Sequence, residues 1–370
     1  MRILTPFDKS TEDFTCFDGC RNAIFLAGPC PREDFEDDWR FDAFSILEEL
    51  GFDGTVLSPT NKHFKNMIDE FGFAVDEVRE KQVAWEREAM HIASAIVFWV
   101  PRSKKFPALT TNYEFGEWYK KPHVFVGWPE DAEHCDYMRC KLEEQGKQYF
   151  KDLRDVLKAA VGALQENNGP WFTSDTHFCQ QRTLELSRRP FVDVKEMDYE
   201  MISNWNKRIT MYDEVFHAGD FIDPVKASTD LKFLLSILNF KKMHWVLGNY
   251  DRKIKDLIVE AIAESGRDVA IYDSSCRFAT DKHSYVVAHE PNDFEIDAEP
   301  NDIILYGHIH GRSFAKRNGF DLGIDYHHYS PINVEQVDWF ANAMQYWDEN
   351  VYSDACDVKQ SKEDALADFN

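Results

Sequence analysis

Five short blocks hold the residues best able to do chemistry: "SDTHF" with Asp175 and His177, "AGDF" with Asp220, "LGNYD" with Asn249, "AHEP" with His289, and "GHIHG" with His308 and His310. Carboxylate oxygen, amide oxygen and imidazole nitrogen together suit a borderline divalent cation such as manganese, iron, zinc or nickel. One carboxylate can bridge two such ions held about 3.5–4 Å apart, a spacing that clamps the attacking and leaving oxygens of phosphoryl transfer. Any single block is common chance material, and a lone histidine of this kind can be a satisfied core residue. Five in order, each directly after β-forming residues, are hard to explain by chance. The expectation is a two-cation centre held by these seven side chains, with Tyr250 and Asp251 beside it as catalytic candidates.

Strands must bring the blocks together. In the second half "PWFTSD", "DEVFHAGDF", "MHWVLGNYD", "SYVVAHEP" and "DIILYGHIHG" each end in potential ligands, which would line one sheet edge. The first half alternates strand-like segments ("AIFLAG" at 23–28, "GTVLSP", "AIVFWVP", "HVFVGWP") with helical ones, including residues 76–94 and 112–120. In "DDWRFDAFSILEELGF", Trp39, Ala43, Ile46, Leu47 and Leu50 share one helical face, and Gly51 stands where a helix stops. "YFKDLRDVLKAAVGAL" (149–164) closes the unit as an amphipathic helix. This βαβα order predicts a mostly parallel sheet covered on both faces, with ligands at the carboxyl ends of its strands. The turn-forming "QENNGP" (165–170) marks a boundary, giving domains at 1–165 and 170–340. Residues 341–370 read as an acidic tail, frayed or forming a short covering helix.

Composition narrows the function. The chain has 370 residues, enough for two cores, and is 44% hydrophobic and 14% aromatic. Its 66 acids against 42 bases give a net charge of −24, which disfavours long nucleic acid as a partner but not a small nucleotide. Eight scattered cysteines lack the paired spacing of a zinc site and read as reduced structural thiols. The N-terminus lacks the apolar core of a signal peptide, and the longest apolar run, "IASAIVFWV", is too short to span a bilayer. The expected location is cytoplasmic (the host cytoplasm if the chain is phage-encoded), with no membrane partner.

The first half has no Walker loop, GxGxxG or CxxC. Its best chemical candidate is Glu114 in "PALTTNYEFGEW", read as lying near a helix start. The positive helix end there would lower its pKa and keep it ionised, as a retaining glycosyl nucleophile requires. An acid in a first helical turn is also often mere dipole complementation.

Residues 170 to about 335 resemble the calcineurin-like metallophosphoesterase superfamily, notably its small members with "TSDTHF" and a following "RPF" (Arg189, Pro190, Phe191). The resemblance implies one ion on Asp175, His177, Asp220 and His310, and a second on Asp220, Asn249, His289 and His308. Tyr250 departs from the family, which usually has His there to protonate the leaving oxygen. A phenol can donate a hydrogen bond but is the weaker acid, so diesters and nucleotides with good leaving groups are favoured. Cys179 and Gln180 replace a common Gly-His.

Residues 22 to about 140 resemble the nucleoside 2-deoxyribosyltransferase-like family, through "FLAGPCPR…DWR", "GFDGTVLSP", "QVAWE", "IVFWVPR", "ALTTNYEFGEW" and "VFVGWPEDAEHCDY". It implies Glu114 as the nucleophile, with Asn112 and Tyr113 shaping its surroundings. Gly28 and Pro29 would form the sugar-facing turn, and Trp85 and Glu86 would hold or protonate the base. The family's Asp shortly before the nucleophile is missing from "KFPALTTNY". Arg32 stands among Glu33, Asp34, Glu36, Asp37 and Asp38, a poor phosphate seat, so a nucleoside is preferred over its monophosphate.

The expected fold class is therefore α/β: a flavodoxin- or Rossmann-like parallel-sheet domain followed by an αββα metallophosphoesterase sandwich. The expected protein is a bifunctional nucleotide-metabolising enzyme, with two divalent ions in its second half and no cofactor in its first. Its partners would be small nucleotides or nucleosides and, by analogy with related transferases, further copies of the chain. Three rivals stand: a single phosphoesterase with a nucleoside-binding regulatory half, a nuclease, and a scaffold with a degenerate metal site.

Overall fold

The computed structural model describes residues 1–6, 17–30, 38–60, 75–104, 107–291, 298–299, 301–313, 315–316 and 318–344. Five parallel strands open the fold: β1 (Arg2–Leu4), β2 (Ile24–Ala27), β3 (Thr55–Leu57), β4 (Ala95–Trp99) and β5 (Val124–Gly127), in the order β1-β3-β2-β4-β5. Every residue of β2, β3 and β4 is buried, as expected of strands covered on both faces. The faces alternate strictly. Ile24, Leu26, Ala95, Val97 and Trp99 meet the helices Arg40–Glu49 and Leu153–Gln165. Phe25, Ala27, Ile96 and Phe98 join the core formed with Val75–Ile92, Leu109–Trp118 and Asp136–Glu144.

Local chemistry sets the helix ends. The helix Arg40–Glu49 stops before Gly51, which adopts φ +70°. Leu153–Gln165 begins later than its apolar pattern suggests because Asp152 caps it, accepting from the amides of Arg154 (2.8 Å) and Asp155 (3.3 Å). Such a cap contributes about 1 kcal/mol. Phe150 is thereby left extended, its amide donating to the Val126 carbonyl at 2.9 Å.

The second half is a sandwich of two five-stranded sheets. One runs β6 (Trp171–Thr173), β7 (Glu214–His217), β8 (Lys242–Val246) and β9 (Val269–Tyr272) in parallel, with β15 (Ile332–Asn333) antiparallel to β6. The other has the order β10-β11-β12-β14-β13, comprising β10 (Ser275–Ala279), β11 (Ser284–Ala288), β12 (Ile303–Tyr306), β13 (Ala315–Lys316) and β14 (Gly319–Asp321). Phe172, Phe216 and Val246 from the first sheet pack on Tyr285, Val287, Leu305 and Phe320 from the second. Val194–Asn206 and Ala227–Ile237 cover the outer face of the first sheet, and Val334–Met344 packs through Phe340 on Phe320.

A single apolar cluster runs from the first half into the second, through the helices Val75–Ile92 and Val194–Asn206. Several polar groups buried along the seam are paired. The Asn22 amide donates to Asn239 Oδ1 (3.0 Å), Asn239 Nδ2 to Ser94 Oγ (2.7 Å), and Asn206 Nδ2 to the Ile92 and Ile237 carbonyls (3.0 Å each). Of the expected acidic tail, residues 341–344 finish the last helix; the remainder lies outside the described residues, as do Arg32, Glu33, Asp34, Glu36 and Asp37. Among the described residues no helix is long and apolar enough to cross a membrane.

Candidate functional site

The seven expected ligands all follow strand ends. Asp175 and His177 follow β6, Asp220 follows β7 and Asn249 follows β8 in the first sheet, while His289 follows β11 and His308 and His310 follow β12 in the second. Because these strands are neighbours within their sheets, the blocks meet at one edge of the sandwich. His177 Nε2 lies 3.8 Å from Asp175 Oδ1 and 3.7 Å from Asp220 Oδ2, and His310 Nε2 lies 3.8 Å from Asp175 Oδ1. On the other side His289 Nε2 is 3.4 Å from Asp220 Oδ2 and 3.1 Å from Asn249 Oδ1, and His308 Nδ1 is 3.1 Å from both of those partners of its own, Asn249 Oδ1 and His289 Nε2. Two groups therefore form that share Asp175, one with His177 and His310 and one with Asp220 and His289.

The backbone is bent to aim these side chains. Asp175, His177, Asp220, His308 and His310 all have φ between +47° and +73°, a region that costs a non-glycine residue about 1–2 kcal/mol. Hydrogen bonds between the loops sustain the strain: Asp175 donates to the Gly219 carbonyl and His177 to the Asp220 carbonyl, each at 3.0 Å, and the His308 amide to Asp175 Oδ2 at 2.8 Å. Closeness also excludes side chains. A Cβ at Gly248 would lie 2.1 Å from Asp220 Oδ1, and one at Gly307 would lie 1.9 Å from Ser174 Oγ.

Supporting groups fix each ring. His289 Nδ1 bonds the Ala218 carbonyl at 2.8 Å, turning Nε2 toward the carboxylates. His310 Nδ1 faces Asp325 Oδ2 at 3.3 Å, and Arg189 grips Asp325 at 2.8 and 3.1 Å. The same guanidinium donates to the Asp175 and Thr176 carbonyls at 2.6 and 2.8 Å. Arg189 of "RPF" is thus a brace for two ligand loops, a role its position in sequence did not reveal.

The electrostatics ask for a cation. Burial pushes the Asp175 carboxyl up, but the neighbouring His177, His289 and His310 outweigh it and hold the group well below the usual carboxylate range. Burial pushes His289 down, yet Asp220 and Asp175 reverse this and raise it to about 9. Asp175 Oδ1 and both nitrogens of His177 are buried without a hydrogen-bond partner among the described residues. Buried polar atoms are ordinarily satisfied, so a convergent set of orphans fits bound divalent ions.

Two neighbours differ in role. Tyr250 lies at the rim, its amide donating to Asp220 Oδ1 at 2.8 Å and its ring meeting His177 edge-on at 5.3 Å. Asp251, expected to be catalytic, is fully buried and turned inward. Its carboxylate accepts from the amides of Asp220 (2.7 Å), Phe221 (3.1 Å) and Gly248 (3.0 Å) and from Trp245 Nε1 (2.9 Å). With its acceptor capacity spent on the loops, it positions Asp220 and has no path to a substrate.

A second polar cleft, about 410 Å³, opens at the carboxyl ends of β2 and β3. Its walls include Gly28, Pro29, Gln82, Glu86, Thr111 and Glu114. This is the switch point of the parallel sheet, where the chain leaves β2 toward β3 on one side and β4 lies on the other. Arg40, fully buried, bonds the Leu26, Gly28 and Pro29 carbonyls at 3.1, 2.8 and 3.2 Å and thereby shapes the turn. The "DWR" block held that signal, although its role was not assigned from sequence.

Several expectations for this cleft need correcting. Glu114 is the sixth residue of Leu109–Trp118, too far into the helix for its N-terminus to ionise it. Burial, and then repulsion from Glu86, raise it to about 7. Burial also pushes Glu86 up, against the hydrogen bond from Gln82 Nε2 (2.8 Å). Asn112 and Tyr113 point away from the cleft wall because they fall on other faces of the same helix: Asn112 Oδ1 is taken by Arg102, and Tyr113 is 77% exposed. Trp85 is a core residue packed against Phe17 at 5.7 Å, not a base contact. Asp38, counted among the phosphate-repelling acids, is buried and paired with Arg40 at 3.2 Å.

Residues 21–132 match the family described as nucleoside 2-deoxyribosyltransferase like, and residues 171–324 match the calcineurin-like phosphoesterase superfamily domain. The uncharacterized protein MJ1445 of Methanocaldococcus jannaschii is 24% identical over 174 residues, which is 45% of this chain and 88% of that protein. A crystal structure of the protein of unknown function AQ665 from Aquifex aeolicus has 20% identity and a TM-score of 0.36, covering 47% of this chain and all of that one. The chain carries a nucleoside 2-deoxyribosyltransferase-like domain followed by a calcineurin-like phosphoesterase domain.

Proposed function

We propose that the second half is a two-cation phosphoesterase acting on small nucleotide-like esters, and that the first half breaks or exchanges an N-glycosidic bond. The observation that carries the first part is the convergence of Asp175, His177, Asp220, His289 and His310 in two overlapping groups, with Asp175 Oδ1 and both His177 nitrogens buried and short of partners. Asp175, His177, Asp220 and His310 would hold one ion, and Asp220, Asn249, His289 and His308 the other. Bound divalent ions supply Lewis acidity, polarising a phosphoryl oxygen and offsetting negative charge as it develops. The chain's own residues orient that chemistry: Arg189 and Asp325 fix His310, Asp251 fixes the Asp220 loop, and Tyr250 can donate a hydrogen bond to a departing oxygen.

In the first half the supporting observation is a pair of carboxyls lining one cleft, Glu86 raised by burial and Glu114 raised to about 7 by burial and by repulsion from Glu86. Glu114, when ionised, would bond to the anomeric carbon while the base leaves with the electrons of the N-glycosidic bond. Glu86, when protonated, would supply the proton that the base takes. Water or a second base would then release the sugar from Glu114. The cleft favours a nucleoside or a nucleotide as ligand, and manganese is the first ion to try in the metal centre.

The regulatory alternative draws on the continuous core, since Val75–Ile92 both walls the cleft and packs on Val194–Asn206. Incubating the purified chain with manganese and a panel of nucleosides and nucleotides, while following phosphate and free base together, tests both activities. Release of phosphate from esters and of base from deoxynucleosides is expected. Phosphate release without base release from any member of the panel would leave the first half as a binding domain.

A further inference from the structure

The rim of the metal centre carries two cations that the chemistry above does not use. Arg182 Nη1 donates to Tyr250 Oη at 3.3 Å, and Lys253 Nζ stands 4.4 Å from the centre of the Tyr250 ring. Both side chains are exposed, and neither has an acidic partner within ion-pair distance among the described residues. The adjacent bases are engaged: Lys255 pairs with Asp273 at 2.6 Å, and Arg252 reaches Glu290 at 3.9 Å. A neutral phenol holds such cations weakly, at about 0.5–1 kcal/mol for an exposed cation–π contact. Their charge therefore remains available to a ligand.

Both cations converge on the residue that directly follows Asn249, and the Tyr250 ring meets His177. An anion seated between them would sit beside a phosphoryl group held by the ions. A guanidinium fork and an ammonium point charge on two sides suit the tetrahedral oxygens of a phosphate. We infer that Arg182 and Lys253 form a clamp for a second phosphate, so that the preferred substrate of this centre is a phosphoanhydride such as a nucleoside diphosphate derivative. The inference rests on the phosphoesterase reading of the same centre. Tyr250 agrees with it independently: a phosphate leaving group departs as a stable anion and needs no strong acid, whereas a simple alkoxide does. A polynucleotide could also offer a second phosphate, but the charge of −24 opposes a polyanion.

The test compares wild type with R182Q, K253Q, the double variant and R182K, all loaded with manganese. Calorimetry with α,β-methylene-ADP and with the non-hydrolysable phosphonate analogue of AMP reads binding without turnover, and rates on diadenosine pyrophosphate and bis-p-nitrophenyl phosphate read activity. Wild type should prefer the diphosphate analogue over the monophosphate analogue by about tenfold or more, and the double variant should lose that preference, with R182K recovering part of it. The rate ratio of pyrophosphate over diester should fall by about the same factor. A short oligonucleotide that competes better than α,β-methylene-ADP would overturn the assignment to an anhydride. Equal affinity for the two nucleotides in wild type, or a preference that survives in the double variant, would remove the clamp altogether. A wild type that hydrolyses neither ester yet keeps the diphosphate preference would sink the phosphoesterase reading and leave the clamp standing.

Discussion

The metal centre and the N-terminal cleft are both built from carboxylates at the carboxyl ends of strands, yet they are held in opposite ways. In the candidate metal centre the seven expected ligands follow five strand ends, on loops strained into left-handed backbone and braced by Arg189, Asp251 and Asp325. Its carboxylates stay ionised because imidazoles surround them. In the cleft two glutamates face each other from two helices, with Arg40 committed to the backbone beneath them. Burial, joined at Glu114 by repulsion from Glu86, drives them toward the protonated form. One region is arranged to attract positive charge from solution, the other to keep carboxyls protonated.

If that contrast is right, the two regions should fail separately. Asp220→Asn should lower turnover of bis-p-nitrophenyl phosphate by about 10³-fold or more, since on the proposed reading it removes the carboxylate that both ions would share. Base release from deoxynucleosides, followed by chromatography, should be unaffected in that variant. Glu114→Gln should do the reverse, cutting base release by about 10²-fold or more while phosphoester turnover persists. Loss of both activities in either variant would mean that the sites are coupled through the shared core.

Smaller effects sharpen the comparison. Asp325→Asn leaves every ligand in place but loosens His310 and Arg189, and should weaken manganese binding by about tenfold in a competition titration with a chelator dye. An unchanged affinity would show that the brace has no part in holding the ions. The smallest expected effect is one of stability. Glu114 has a folded pKa of about 7 against an ordinary 4.5, so the folded chain binds the extra proton between those values. Its contribution is full below pH 4.5 and is lost as pH rises through 7. Glu114→Gln deletes that loss, so the variant should melt about 2 °C above wild type at pH 8 and show a smaller gain at pH 5. A gain larger at pH 5 than at pH 8 would contradict the raised pKa.

The same contrast explains what could be read without coordinates. Ligands that follow β-runs were legible because a strand end fixes where the next residue goes, and the parallel order of β6, β7 and β8 then follows from short-range pattern. The strands β2 and β4 and the stop at Gly51 were legible for the same local reason. Helix phase was not. Placing the helix start near Asn112 instead of Leu109 put Glu114 in a first turn it does not occupy and put Asn112 and Tyr113 in a cleft they do not line. Trp85 and Glu86 are sequence neighbours on one helix, yet one is buried in the core and the other lines the cleft. Asp251 was misassigned because residue type cannot reveal that four donors already surround its carboxylate. Arg189 and Arg182 reach Asp325 and Tyr250, partners 136 and 68 residues away that only the tertiary fold brings near.

Counting metal per chain tests the central claim most directly. After loading with manganese and removal of excess ion, mass spectrometry of the intact metal content should give about two ions per wild-type chain and at most about one for Asp220→Asn. Substoichiometric metal in wild type, or two ions retained by the Asp220→Asn variant, would contradict a centre built on a shared carboxylate.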